Sequence, residues 1–316
     1  MRVVALAGGV GGARLAFGLQ AELGTDLTVV VNTADDLERH GLLVSPDHDT
    51  VMYTLAGIAD RAQGWGIAGE TYSAAEMLAR YGEETWFRLG DRDLATHITR
   101  TARLRAGRNP TDVALELQRA LGVKAAILPM THDSVRTEVR TDGPPPGWLE
   151  FQDYFVRRRQ EPVVHAVRFA GIERAEVAPR VRGELGFADA IVIAPSNPIV
   201  SVGPILALRG MAELLAAAKQ GGSPIVAVSP IIGGKALKGP ADRMLSSLGH
   251  ESSALGVARI YAEVATGFVL DAVDKALAPE IEALGLRTLV TDTIMTDDAA
   301  RIRLAREVLR VAQEQR

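Results

Sequence analysis

Five consecutive apolar residues, Val3–Ala7, open the chain and give way to Gly8-Gly9-Val10-Gly11-Gly12. An unbroken apolar run of this kind suits a strand buried on both faces. ARLAFGLQAEL follows with helical spacing, and LTVVVNTADD reads as a second buried strand that ends in polar residues. Strand, loop, helix and strand in that order are the usual opening of a doubly wound sheet.

The middle of the chain is patterned differently. TVMYTLAGIADRAQ, SAAEMLARYG, DLATHITRTARLRAG and PTDVALELQRALG all carry helical spacing, with a start signal at Asp112 and a stop at Gly122. No strong strand interrupts them, which predicts a helical insertion over 51–121 within a Rossmann-like domain made of 1–50 and 122–316. KAAILPMT returns to strand character, and VRTEVRTDG alternates as a half-exposed strand before a turn at GPPPG. WLEFQDYFVRRR predicts a helix and VVHAVRFAG an antiparallel strand.

The sheet then resumes at ADAIVIAPSNP, with a helix over 204–219. SPIVAVSPIIGG is the next strand, and a helix over 240–248 follows it. A strand over 266–270, a helix, RTLVTDTIM and a closing helix from Asp297 complete the pattern. The predicted fold class is α/β, a doubly wound, mainly parallel Rossmann-like sheet with a small helical insertion domain.

Composition narrows the chemistry. The 316 residues contain no cysteine, so disulfides, thiolate metal sites and cysteine nucleophiles are excluded. The formal net charge of -4 offers no overall basic excess for nucleic acid or an acidic membrane. No run of about 18 apolar residues predicts a membrane span, and the N-terminus reads as a strand rather than a signal peptide. A cytoplasmic protein is expected.

Ligands of open α/β sheets sit beyond the carboxyl ends of the strands, and four segments there carry candidate chemistry. In GGVGGAR, the backbone amides of Gly9, Val10, Gly11 and Gly12 can approach phosphate oxygens at a helix N-terminus. The spacing is neither the dinucleotide fingerprint nor a Walker loop. In NTADDLERHGLLVSPDHDT, Asp35, Asp36, Asp47 and Asp49 stand beside Asn32 and Thr33. Hard oxygen ligands near a phosphate loop suit magnesium held between protein and diphosphate, although Asp35 and Asp36 could cap a turn and Asp47 the next helix. Asp49 is the foremost functional carboxylate, and His40 and His48 are taken as bystanders.

In the third segment, APSNPIVSVGP, Ser196, Asn197 and Ser201 offer polar contacts or structural caps. In the fourth, SPIIGGKALKGPADRM, Lys235 and Lys238 could neutralise a leaving group or simply be solvated. FRLGDRDLATH adds Arg88, Asp91, Arg92 and Asp93, which in isolation read as surface ion pairs, and Trp65 and Trp86 read as packing residues.

Together, ALAGGVGGARLAFGL, VNTADDLERHGLLVSPDHDTVMYTLAG, WFRLGDRDLATH, APSNPIVSVGPIL, SPIIGGKALKGPADRM and TDTIM resemble the 2-phospho-L-lactate transferase family, CofD, called FbiA in actinobacteria. The resemblance implies a magnesium-dependent (Mg2+) step of coenzyme F-420 biosynthesis. In that step the ribityl hydroxyl of the deazaflavin Fo attacks a guanosine diphospho-linked three-carbon acid and GMP leaves. The acid could be of the 2-phospho-L-lactate, phosphoenolpyruvate or 3-phosphoglycerate type.

By the same resemblance Asp49 and Arg88 contact Fo, with Asn32 and Thr50 beside them. The glycine loop, Ser196, Asn197, Gly234, Lys235 and Lys238 then line the guanosine diphosphate side, and a homodimer is expected. Asp36, Asp47 and Asp49 are the metal candidates, and Asp49 and Asp36 the catalytic ones. The residues leave open which of them positions the metal and which the hydroxyl. Two rivals remain: a nicotinamide dinucleotide oxidoreductase, disfavoured by the glycine spacing, and a non-catalytic CofD-like nucleotide-binding protein.

Overall fold

The computed structural model describes residues 1–143 and 146–316. Its first part runs β1 (Val3–Ala7), α1 (Gly9–Leu23), β2 (Leu27–Val31), β3 (Leu37–Arg39), β4 (Leu42–Val44), α2 (Pro46–Leu55), α3 (Ser73–Arg80), α4 (Asp91–Arg105) and α5 (Pro110–Ala120). β5 (Ala126–Pro129), β6 (Arg136–Thr141), β7 (Gly147–Glu150), β8 (Val164–Ala170), α6 (Pro179–Gly186), β9 (Ala190–Ile193), α7 (Gly203–Leu206) and α8 (Met211–Gln220) follow. The chain ends with β10 (Ile225–Val228), β11 (Ile231–Ile232), β12 (Lys235–Ala236), α9 (Ala241–Ser247), α10 (Ala254–Tyr261), β13 (Gly267–Asp271), α11 (Ala278–Glu282), β14 (Arg287–Thr291) and α12 (Asp298–Glu314).

The central sheet has seven strands in the order β14-β13-β10-β9-β1-β2-β5, and every neighbouring pair is parallel. The apolar run of β1 is buried throughout because helices cover both faces. Its alternate residues divide between two cores. Val4 and Leu6 join the side chains of α6, α8 and α10, while Val3, Ala5 and Ala7 join those of α1, α2 and α12. From β1 the chain winds outward through β2 to β5, then returns to β9 and winds the other way. The loops after β1 and β9 therefore part at the carboxyl edge, and this topological switch point is where such sheets leave a crevice for ligands.

Several local expectations change. WLE of the predicted helix 148–159 is instead strand β7, paired antiparallel with β6. Trp148 is exposed and Leu149 buried in the alternation a hairpin needs. The predicted helix over 204–219 is broken into α7 and α8 at Gly210, whose φ is +85°. DLERHGLLV forms the β3–β4 hairpin, turned at His40 and Gly41, both with positive φ. The GPPPG turn includes Pro144 and Pro145, which lie outside the described residues. Residue 50, the expected edge of the insertion, falls inside α2, whose Val51, Met52 and Tyr53 belong to the same core as α1. Among the described residues no helix is long and apolar enough to cross a membrane.

Candidate functional site

The crevice begins at the turn after β1. Gly8 donates its N–H to Ser196 Oγ (3.1 Å), which donates back to Gly8 O (2.8 Å) and ties the loops after β1 and β9 together. A Cβ on Gly11 would lie 2.2 Å from Pro195 O, so only glycine allows this approach. The first amide of α1 is occupied, since Gly9 N–H donates to Asp47 Oδ1 at 2.8 Å. A helix N-terminus favours negative charge, and here a carboxylate brought by α2 supplies it. The alternative that Asp47 caps its own helix is not realised, because α2 has no side-chain cap.

Asn32, at the exit of β2, is fully buried and organises this corner. Its Nδ2 donates to Asp47 Oδ2 (3.1 Å) and to Val200 O (3.2 Å), and its Oδ1 accepts from Ala34 N–H (2.8 Å). Both amide hydrogens are spent within the protein, so Asn32 braces the site and does not present a donor to an acceptor substrate. Burial raises the Asp47 carboxyl to about 6, against the pull of the Asn32 and Gly9 hydrogen bonds.

Asp36 Oδ2 accepts from Ser45 Oγ (2.9 Å), while its buried Oδ1 has no partner. Burial lifts Asp36 to about 7 despite Ser45, Arg100 and Arg136, and Asp49 adds to the rise. Asp35 is likewise pushed well up, by burial and then by the Asp47 charge, and its Oδ1 is also unpartnered.

Asp49 faces elsewhere. It lies two residues after Asp47 on α2, which turns its side chain by roughly 200° about the helix axis. Its carboxylate accepts two hydrogen bonds from the buried Arg100 of α4: Nη1 to Oδ2 at 3.0 Å and a shorter one from Nη2 to Oδ1. His48 Nδ1 lies 3.5 Å from Oδ1 and His97 Nδ1 3.7 Å from Oδ2. Burial alone would raise the Asp49 carboxyl, but the adjacent Arg100 guanidinium, helped by His48 and His97, holds it well below the usual carboxylate range.

Asp93 continues this network. Tyr53 OH donates to Asp93 Oδ1 (2.7 Å), and His97 Nε2 stands 3.2 Å from the same oxygen. Asp93 is therefore buried rather than a surface residue. Asp93, His97 and Arg100 are spaced by four and three residues on one face of α4, a repeat visible in the sequence but hidden there by the polar character of the helix. Asp36, Asp47 and Asp49 do not form one cluster. Among the described residues, the three-residue group whose ligand atoms lie within 4.8 Å of one another is Asp49, Asp93 and His97, and there the Arg100 guanidinium already holds Asp49.

The remaining candidates are spread around the crevice. Thr50 is buried within α2. Arg88 is exposed and stacks over Tyr72, 3.7 Å from the ring centroid. Asn197 caps the following turn through Ile199 and Val200 N–H and lies half-buried against Met244. Lys235 is exposed on β12, Gly234 O accepts from Ser252 Oγ, and Lys238 Nζ donates to Gln63 O (3.3 Å) beside Val10. Trp65 is exposed, whereas half-buried Trp86 packs against Arg39 and Arg157.

Electrostatically the corner is short of cations. The one buried arginine nearby, Arg100, is engaged by Asp49, which leaves Asp35, Asp36 and Asp47 without a charged hydrogen-bond partner and one oxygen each of Asp35 and Asp36 bare. Hard oxygen donors with uncompensated charge fit a divalent cation such as magnesium, which takes one or two carboxylates and completes its shell with phosphate oxygens and water.

Residues 3–305 match the family model described as 2-phospho-L-lactate transferase CofD. The chain is 44% identical over 321 residues to a phosphoenolpyruvate transferase of Streptomyces griseus, covering all of both chains. It is 41% identical over 295 residues to a 2-phospho-L-lactate transferase of Methanosarcina mazei, covering 93% of this chain and 95% of that one. Among solved structures it resembles a UPF0052 family protein of Bacillus halodurans, with a TM-score of 0.64 at 13% identity over 97% of this chain and 98% of the other. That likeness extends to the fold alone.

Proposed function

Because this chain belongs to the 2-phospho-L-lactate transferase CofD family, we propose that it moves a phospho-three-carbon-acid group from a guanosine diphospho-linked donor to the ribityl hydroxyl of Fo, releasing GMP. The observation that carries this reading is the meeting of Asp47 with the first amide of α1 at the switch point. That contact puts a metal-competent carboxylate and a phosphate-binding helix end within one hydrogen bond.

Phosphoryl transfer needs little covalent help from protein; it needs position and compensation of charge. In the proposed arrangement the donor diphosphate lies along the amides of Gly9, Val10, Gly11 and Gly12 and displaces Asp47 from Gly9. Asp47 and Asp35 would hold Mg2+, which when bound screens the diphosphate. The hydroxyl oxygen bonds to the phosphorus that carries the three-carbon acid, the bond from that phosphorus to GMP breaks, and the hydroxyl proton passes to Asp36. A carboxyl at about 7 is matched to that task near neutral pH. Asp49 acts through Arg100, whose charge also bears on Asp36, and is a positioning residue. Arg88 on its exposed Tyr72 platform holds the acceptor, and Lys235 and Lys238 approach the leaving nucleotide.

The test is to incubate the purified protein with Fo, Mg2+ and each activated three-carbon acid in turn, with GMP and product mass as readouts. Stoichiometric GMP and phosphodiester from one donor are expected. Stabilisation by guanine nucleotide with no GMP from any donor would instead support a non-catalytic binding protein.

A further inference from the structure

The flank of α1 carries a group of cations that the transferase reading does not use. A small open cleft lies between α1, the end of α2, the loop after it and the first turn of α12. Arg14, Arg61 and Arg301 all line it. Arg14 follows Val10 by one helical turn, and both line the cleft.

The carboxylates nearby are already engaged. Asp60 accepts from Ala62 N–H, Gln63 N–H and Gln63 Nε2 at 2.9–3.0 Å. Asp298 is shared between Arg61 (2.8 Å) and Arg301 (3.1 Å), and Asp297 caps α12 through Ala300 N–H. Arg301 is only 6% exposed, and its buried Nε has no partner. Half-buried Arg14 has neither a hydrogen bond nor an ion pair among the described residues. Burial pushes the Arg301 guanidinium below its ordinary value, Asp298 pulls it back, and Arg14 and Arg61 push it down again. Arginines converging on a cleft with unused N–H groups form the fork geometry that binds oxyanions.

We propose that this cleft, which meets the glycine turn at Val10, is a binding site for a small phosphate-type oxyanion, with Arg14 as its principal ligand and Arg61 and Arg301 completing it. The anion is either free phosphate or a phosphate group of a nucleotide. The site does not depend on the transferase reading, because its test reads binding and not turnover.

The full chain is titrated calorimetrically with sodium phosphate against sodium chloride at matched ionic strength, with and without saturating GDP. Wild type is compared with Arg14→Gln and Arg61→Gln. Phosphate binds the wild type, and loss of either guanidinium weakens it by about tenfold. Arg14 has no partner to abandon and Arg61 is exposed, so both variants keep the wild-type thermal midpoint. An Arg14-dependent signal that survives GDP assigns the cleft to the free anion; one that GDP abolishes assigns it to a nucleotide phosphate. Absence of phosphate binding, or equal affinity in wild type and both variants, overturns the site.

Discussion

Replacing Asp49 by Asn removes one half of a buried ion pair, and the structure sets the size of the effect. Arg100 is 5% exposed and loses a doubly hydrogen-bonded carboxylate. Its remaining hydrogen-bond contacts are Leu43 O at 3.4 Å and the His97 ring at 3.3 Å, and the Asp36 carboxyl that its charge also reaches is not hydrogen-bonded to it. Stranding a buried guanidinium costs ~3–5 kcal/mol, whereas exchanging the whole pair for apolar groups is often neutral. For 316 residues that loss corresponds to a thermal midpoint lower by about 4–8 °C, from the usual unfolding entropy per residue.

Asp49→Asn is therefore expected to fold with reduced stability, and the double variant Asp49→Asn, Arg100→Met to recover most of it while staying poorly active. Urea and thermal unfolding of wild type, both single variants and the double variant provide the measurement. The reasoning fails if Asp49→Asn unfolds within ~1 kcal/mol of wild type, or if removing Arg100 as well lowers stability further. Either result would mean that Asp49 does not spend its charge on Arg100, and would return it to the metal candidates.

Asp36 and Asp47 titrate at about 7 and about 6 in the folded protein against 3.8 for an ordinary aspartate. Raised folded values mean that the folded state binds more protons across that interval, so metal-free stability should fall as pH rises from about 4 to 7; Mg2+ should raise the thermal midpoint more at pH 8 than at pH 6, and a pH-independent metal effect would refute the assignment of Asp47 to a cation. Asp36→Asn should lower kcat by about 10²–10⁴-fold and remove the rise in rate through pH 7, whereas an unchanged pH–rate profile would exclude Asp36 as the proton acceptor. Gly11→Ala would place a methyl 2.2 Å from Pro195 O, so it should cost ~1–3 kcal/mol and weaken GDP binding by calorimetry; wild-type affinity with wild-type stability would show that the two loops need not approach so closely.

The linear pattern was enough to read the alternation of buried strands and helices, because a strand covered on both faces must be apolar throughout and a helix facing one layer must repeat every three to four residues. It also located the glycine turn and the acidic segment after β2, since glycine and clustered aspartate are conspicuous wherever they fall. It misread 148–150 and 204–219. Trp148 and Leu149 suit a helix as well as a hairpin until β6 is there to pair with them, and Gly210 breaks the second segment with a left-handed φ of +85°.

The direction of each carboxylate was decided only by the tertiary structure. Asp47 and Asp49 are two positions apart and chemically identical. Yet α2, seated between α1 and α4, turns one toward the glycine amides and the other toward Arg100. That partner lies 51 residues further along the chain, and only the packing of α4 against this corner gives Arg100, His97 and Asp93 a buried face. Side-chain identity is local information, whereas the field around a side chain is set by whatever the fold brings beside it.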